Sequence, residues 1–339
     1  MFRRSILKWL AFFILGCLLP FYAIACTPQP SETPESPATT APLSVGVQPW
    51  IGFQGHYIAM ANDLFTPEGI TVTENFFQVA TDVNTALAAG RVDVAWIGAP
   101  DLLTMVEQKP DLKIIMASDY SNGADGIIGR GIAGPQDLQG KKVAREDAPY
   151  AIVFLGEYLK QADLTEADLE IVPIAAGDAV AAFIAGEVDA ATTYEPWLSQ
   201  AVNEGGAEIL FTTKDTAVIP LVLATSEAVI NDRRDDLLAY LRAIDNALTF
   251  AQENPDQAAE ISAKALGVTA ADIPPQLAGI KPFTLAGNRT DPFNPDSPLS
   301  LVKSLQSASD TLYELGKIPQ PIDATSLVEE SLVVELTDQ

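Results

Sequence analysis

From Leu43 onward, short β-rich runs alternate with helical segments of about ten residues, and this alternation constrains the chain more than any other feature. LSVGV (43–47) reads as a strand, the residues after Gly55 (HYIAMANDLF) as a helix, and ITVTENFF (70–77) as a strand. TDVNTALAAG (81–90) reads as a helix opened by Thr or Asp and stopped by Gly, and VDVAWIG (92–98) and LKIIMAS (112–118) continue as strands. Strands separated by such segments imply βαβ units and parallel sheets. The grammar then repeats: ALAAGRVDVAWIGAPDL (86–102) and AFIAGEVDAATTYEPWL (182–198) align at an offset of 96 residues. Gly90 meets Gly186, Val92 meets Val188, Asp93 meets Asp189 and Pro100 meets Pro196. Either any two βα units look this similar, or the chain holds two comparable lobes presenting equivalent strand ends to one another. Ligands of open α/β sheets sit at those ends, beside helix N-termini.

After Asn231 the sequence is helical. Leu237, Leu241, Ile244 and Leu248 form one core-facing stripe, and Leu301, Leu305, Leu312 and Leu315 a second. The expected organisation is residues 43–130 as the first part of lobe 1, 131–220 as lobe 2, and 221–339 as the return to lobe 1 with C-terminal helices. The chain would then cross a hinge near Gly129–Gly134 and again near Ile219–Ala224.

Residues 1–25 precede this pattern and read as a secretory signal peptide, with Arg3, Arg4 and Lys8 ahead of an apolar run. An uncleaved anchor is the alternative, since roughly 20 apolar residues span a bilayer; Pro20 argues against it. Cys26 follows Ala23-Ile24-Ala25 and resembles the lipidated cysteine of a bacterial lipobox, with Ala23 where Leu is usual. Cys17, after Ile14-Leu15-Gly16, also fits loosely. Cys26 is preferred because residues 26–42 change at once to a tether with five Pro and no large apolar side chain.

Composition narrows the chemistry. The net charge is −25, and setting aside residues 1–25, which hold three basic groups and no acid, makes it −28. Such a chain repels nucleic acid and anionic surfaces and mildly attracts cations. No Cys follows Cys26 and His56 is the only His. That inventory provides no disulfide framework, zinc site or Cys/His dyad, so no metal and no cofactor is expected.

Four segments, PWIGF (49–53), ALAAGRVDVAWIG (86–98), SNGADGI (121–127) and TTYEPWL (192–198), with the C-terminal PIDATSLV (321–328), resemble the nitrate, taurine and sulfonate solute-binding proteins of ABC importers. The thiamine-precursor binding proteins are grouped with them, and the similarity spans essentially all of 43–330. The resemblance implies a type II periplasmic-binding-protein fold: two α/β lobes, a hinge crossed twice and a central ligand cleft. It also implies a non-enzymatic protein on the extracytoplasmic face of the membrane, held by its lipid anchor only, with an ABC permease and its ATPase as partners. One relative of this type is a self-consuming pyrimidine synthase that uses a His and a cysteine-rich motif; this chain lacks that Cys cluster and a spare His.

Ligand-binding residues expected within this frame are Trp50, Trp96, Tyr120, Asp125, Tyr150, Tyr194 and Glu195. Trp50 follows the first strand and Trp96 lies near the end of another; each serves either the cleft or the core. Asp125, beside an apolar run, needs a partner, either a backbone N–H, Arg130 or a ligand cation. Glu195, at a strand-to-helix turn between Tyr194 and Pro196, faces the cleft if the resemblance holds; otherwise it is an acid favoured by the helix dipole. Asp147 reads as a helix cap, and His56 as a helix-surface or lobe-edge residue. Aromatic faces beside carboxylates suit an ammonium, amidinium or guanidinium. The expected ligand is therefore a small cationic or zwitterionic nitrogen compound, taurine-like or guanidine-like. Nitrate or an alkanesulfonate, which would want basic groups beyond Arg130 and Arg145, comes next. An acid–base enzyme using Asp125 and Glu195 comes last.

Overall fold

A computed structural model describes residues 41–338 apart from 215, 217 and 218. The signal peptide, Cys17, Cys26 and nearly all of the tether lie outside the described residues. Eleven strands follow in chain order: β1 Leu43–Val47, β2 Val72–Phe76, β3 Val94–Gly98, β4 Leu112–Ser121, β5 Asp125–Gly129, β6 Lys142–Arg145, β7 Glu170–Pro173, β8 Ala190–Tyr194, β9 Glu208–Thr212, β10 Pro220–Ser226 and β11 Ile280–Pro282. Among the helices are α1 Gln54–Ala61, α2 Ala80–Ala88, α3 Ala99–Met105, α4 Pro149–Leu159, α5 Ala176–Ala185, α6 Trp197–Gly205, α7 Glu227–Asp232 and α8 Arg234–Glu253.

The strands form two sheets, ordered β11-β4-β10-β3-β1-β2 and β7-β6-β8-β5-β9. Reversing the first shows that both share one plan, with β1, β2, β3 and β4 answering to β6, β7, β8 and β9. In each sheet the first three are parallel and a fourth strand runs antiparallel beside the third. That antiparallel strand is exchanged. The first sheet receives β10 from beyond the second sheet, and the second receives β5 directly after β4. The first passage between sheets therefore lies at 122–124, between β4 and β5, and not near Gly129–Gly134; the second lies between β9 and β10. The run Asp125–Gly129, fully buried, is the inserted strand itself.

The 96-residue echo has a structural cause. Asp93 Oδ2 accepts from the Ser44 amide at 2.8 Å, and Asp189 Oδ2 from the Lys142 amide at 2.9 Å. Each carboxylate ties the segment before its strand to the start of the parallel neighbour. Gly90 and Gly186 both have positive φ (67° and 77°), a region where a Cβ is costly. Pro100 lies in the first turn of α3, and Pro196 immediately precedes α6.

The inner strands of the first sheet, β1, β3, β4 and β10, are buried on both faces, which is why they read as largely apolar runs, while the edge strand β2 is partly exposed. Along β3, Val94 and Trp96 join one hydrophobic cluster with Phe53, Ile58 and the α8 stripe, while Ala95 and Ile97 join another with Leu102, Leu301 and Leu305. Leu237, Leu241, Ile244 and Leu248 are all buried, as the periodicity predicts. No helix among the described residues is long and apolar enough to cross a membrane.

Candidate functional site

The carboxyl ends of the parallel strands meet the beginnings of the two exchanged strands at one place, and a cavity opens there. It is lined by Gln48 and Trp50 after β1, Gly98 at the end of β3, Tyr150 at the start of α4, Tyr194 at the end of β8, Asp125 at the start of β5, and Ile219 and Leu221 at the entry of β10. The space left free between these side chains is about 10 Å³, room for about one water molecule, so a larger guest enters only if the walling side chains move apart.

Three aromatic rings wall the space. Tyr194 stands edge-on to Trp50 (centroids 5.8 Å apart) and to Tyr150 (6.1 Å), and its other side meets Trp197 at 4.9 Å. Trp50 is held by its indole N–H, which donates to Asp119 Oδ1 at 3.0 Å; Ser118 Oγ donates to Asp119 Oδ2 at 2.8 Å. Gly52 makes this approach possible, since a Cβ there would fall 2.1 Å from Asp119 Oδ2 and 2.4 Å from Trp50 Nε1.

Asp125 is 3% exposed, and its Oδ2 has no hydrogen-bond partner; the same is true of Gln48 Oε1. A buried acceptor without a partner costs about 1–3 kcal/mol, and more when charged. Burial pushes the Asp125 carboxyl up to about 7, with the Ser121 hydroxyl opposing and Asp119 and Glu195 adding repulsion. Burial likewise raises Asp119 and Asp101 to about 7. Among the described residues no Lys, Arg or His lines the cavity.

Of the residues expected from sequence, Trp50, Asp125, Tyr150 and Tyr194 come together here. Three do not. Trp96 is core: its ring packs 5.1 Å from Phe53 and its Nε1–H donates to the Tyr240 hydroxyl at 2.8 Å. Tyr120 sits on the far side of the first sheet, where it donates to the Leu299 carbonyl at 3.1 Å and meets Phe283 edge-on. Glu195 turns onto its own helix. Its Oε1 accepts from Ser199 Oγ at 2.8 Å and its Oε2 from the Ser199 amide at 3.1 Å, so the helix-start acid is the role found.

Other residues also differ from their sequence readings. His56 is fully buried, not at a surface, with Nδ1 2.8 Å from the Tyr240 hydroxyl and Nε2 3.0 Å from Glu74. The consistent direction runs Trp96 to Tyr240 to His56 to Glu74, each group donating once. Asp147 does not cap α4; it accepts from Arg145 at 2.9 Å. Arg145 is further engaged with both oxygens of Glu166, and Arg130 donates to the Gly205 carbonyl and covers the Phe183 ring.

Asp119, Gln48, Asp101 and Glu146 were not singled out from sequence. Glu146 Oε1 accepts from the Ala80 amide at 2.7 Å and its Oε2 from the Tyr150 hydroxyl at 2.8 Å. Asp101 Oδ1 accepts from the Tyr150 amide and Oδ2 from Asn84, both at 2.9 Å. The available signal was an acid inside an otherwise apolar run, as in IIMASDY (114–120) and GAPDLL (98–103).

Two α/β halves with exchanged strands and a cavity at their facing strand ends define the periplasmic-binding-protein fold. The structure of the alkanesulfonate-binding protein of Xanthomonas axonopodis pv. citri bound to MOPS superposes with a TM-score of 0.71 at 18% identity, covering 87% of this chain and all of that one. A Bacillus subtilis (strain 168) protein named for binding aliphatic sulfonates is 25% identical over 281 residues, 82% of each chain. The taurine-binding periplasmic protein of Escherichia coli (strain K12) is 24% identical over 277 residues, 77% of this chain and 83% of its own length. The profile described as NMT1/THI5 like matches residues 50–258, more than half of the sequence. The chain belongs to the NMT1/THI5-like family.

Proposed function

We propose that this chain is the extracytoplasmic solute-binding component of an ABC importer, and that it closes over a small nitrogen cation and hands it to a membrane permease. The observation that carries this reading is Asp125: a buried carboxylate oxygen without a partner, in a small cavity walled by Trp50, Tyr150 and Tyr194 and free of basic side chains. An N–H donor from a guest would satisfy Asp125 Oδ2 and Gln48 Oε1 together. The aromatic faces would add cation–π attraction of about 1–2 kcal/mol once water is excluded. A guanidinium or short ammonium matches that chemistry.

The names of the relatives favour a second reading, a taurine-like zwitterion or an alkanesulfonate. The acids around this cavity weigh against a guest with a bare anionic group. Asp125, Trp50, Tyr150 and Tyr194 are the proposed ligand contacts. Residues 122–124 and Thr213 are the described part of the proposed hinge, braced by the Ser121–Thr213 hydroxyl pair at 2.7 Å. Residues 1–25 are proposed as the signal peptide and Cys26 as the lipidated residue that keeps the protein at the membrane surface.

A thermal-shift screen and calorimetry on the purified full chain test the reading, with guanidinium, methylammonium, taurine, methanesulfonate and nitrate. At a hundredfold excess over its dissociation constant a true guest stabilises by about 2.7 kcal/mol. Stabilisation by cations supports the proposal; stabilisation by the oxyanions alone refutes the cation assignment, and turnover of any guest refutes the binding-protein assignment.

A further inference from the structure

We propose that Glu146 decides the sign of the guest, by holding one of the protein's own carboxylates where a guest anion would otherwise dock. This rests on the solute-binding reading above. A helix N-terminus facing a cleft is a ready anion site, because its first amides lack partners within the helix. The nine-residue α2 has such free amides, linked to the cavity through Glu146 and Tyr150, and its N-cap Val79 has no side chain able to cap it. The amides there are taken instead by Glu146, 66 residues away beyond β6 on the other sheet, through the Ala80 contact at 2.7 Å and a further one from Thr81. The second oxygen of Glu146 is fixed by the Tyr150 hydroxyl, and Tyr150 lines the cavity.

The arrangement is reciprocal. The start of α4, on the second half, is occupied by Asp101 from the first half, through the Tyr150 amide. Each half thus places an acid on the opposing half's helix end, and both ends are occupied by the protein's own carboxyl groups before any guest arrives. An anionic guest would have to displace Glu146, which is 3% exposed, and leave a buried carboxylate without its donors. A separate observation points the same way: Asp125, buried on the cavity that Tyr150 also lines and with its Oδ2 unpartnered, would repel an anion and accept from a cation.

Calorimetry of the full chain and of the variants Glu146→Gln and Glu146→Ala, with guanidinium and methanesulfonate at fixed ionic strength, tests this. The parent should bind guanidinium and show no heat with methanesulfonate. Glu146→Ala, which frees the α2 amides, should gain methanesulfonate affinity by at least about tenfold, the weight of a charge-assisted hydrogen bond. Glu146→Gln keeps the shape and a neutral cap and should gain less. Should the alanine variant not fold, as judged by circular dichroism and a cooperative melt, the glutamine variant decides, and an unchanged anion affinity overturns the inference. A parent that binds guanidinium while neither folded variant gains the anion overturns this inference alone. A parent that binds neither probe overturns the solute-binding reading with it.

Discussion

Replacing Asp125 by Asn should move stability and binding in opposite directions. The Asp125 carboxyl is raised from its ordinary 3.8 to about 7, chiefly by burial. Between those values the folded state holds a proton that the unfolded state has lost, so stability falls as pH climbs from about 4 to about 7. Three pKa units at 1.36 kcal/mol each bound the penalty near 4 kcal/mol above pH 7; relaxation around the buried charge reduces it to about 1–3 kcal/mol. Asn is neutral throughout. Asp125→Asn should therefore be more stable than the parent at pH 8 by about that amount, and near parity at pH 4. The same change deletes the acceptor for the guest and should weaken guanidinium binding by about ten- to a hundredfold, the loss of one charge-assisted contact. Urea unfolding of the ligand-free proteins at both pH values gives the first quantity and calorimetry at pH 8 the second. A variant that is less stable at pH 8 and binds guanidinium unchanged would show Asp125 to be a structural acid and remove the basis for a cationic guest.

In the parent, guanidinium affinity should rise with pH up to about 7 and level off above it, because Asp125 and Asp119 are both held near that value by burial; calorimetry in buffers of different ionisation enthalpy should detect proton release on binding, and a flat profile would contradict the assignment. Gly52→Ala must break the bond from Trp50 to Asp119, and should cost about 1–3 kcal/mol of stability and most of the binding; retention of parental affinity would mean that Trp50 is not a contact. Glu195→Gln should leave affinity nearly unchanged and cost at most about 1 kcal/mol as a weakened helix start. A tenfold loss of affinity in that variant would return Glu195 to the site.

The order of strands and helices, the stripes of α8, and the equivalence of residues 86–102 and 182–198 were legible in the chain because they rest on short-range rules. Alternation marks strands, a spacing of three or four marks helices, Pro opens them and Gly closes them. The echoing Asp93 and Asp189 bind the starts of their own neighbouring strands, a contact internal to one βαβαβ unit and so preserved with it. Trp50, Tyr150 and Tyr194 were legible for a related reason, since all three lie just beyond strand ends or at a helix start, where a parallel sheet exposes side chains to its ligand edge.

What only the tertiary structure decided was which acid lines the cavity. Asp125 and Glu195 looked alike, each at an end of a strand. Register separates them: Asp125 opens a strand inserted between β8 and β9 and is walled in on both sides, whereas Glu195 lies just past β8, within reach of the first turn of α6. Asp119, Asp101 and Glu146 gained their roles from groups 49 to 69 residues away. The strand exchange that brings β5 and β10 to opposite sheets is likewise settled by packing. A side chain's neighbours along the chain set its secondary structure; its charge partners are set by whatever the fold places across the cleft.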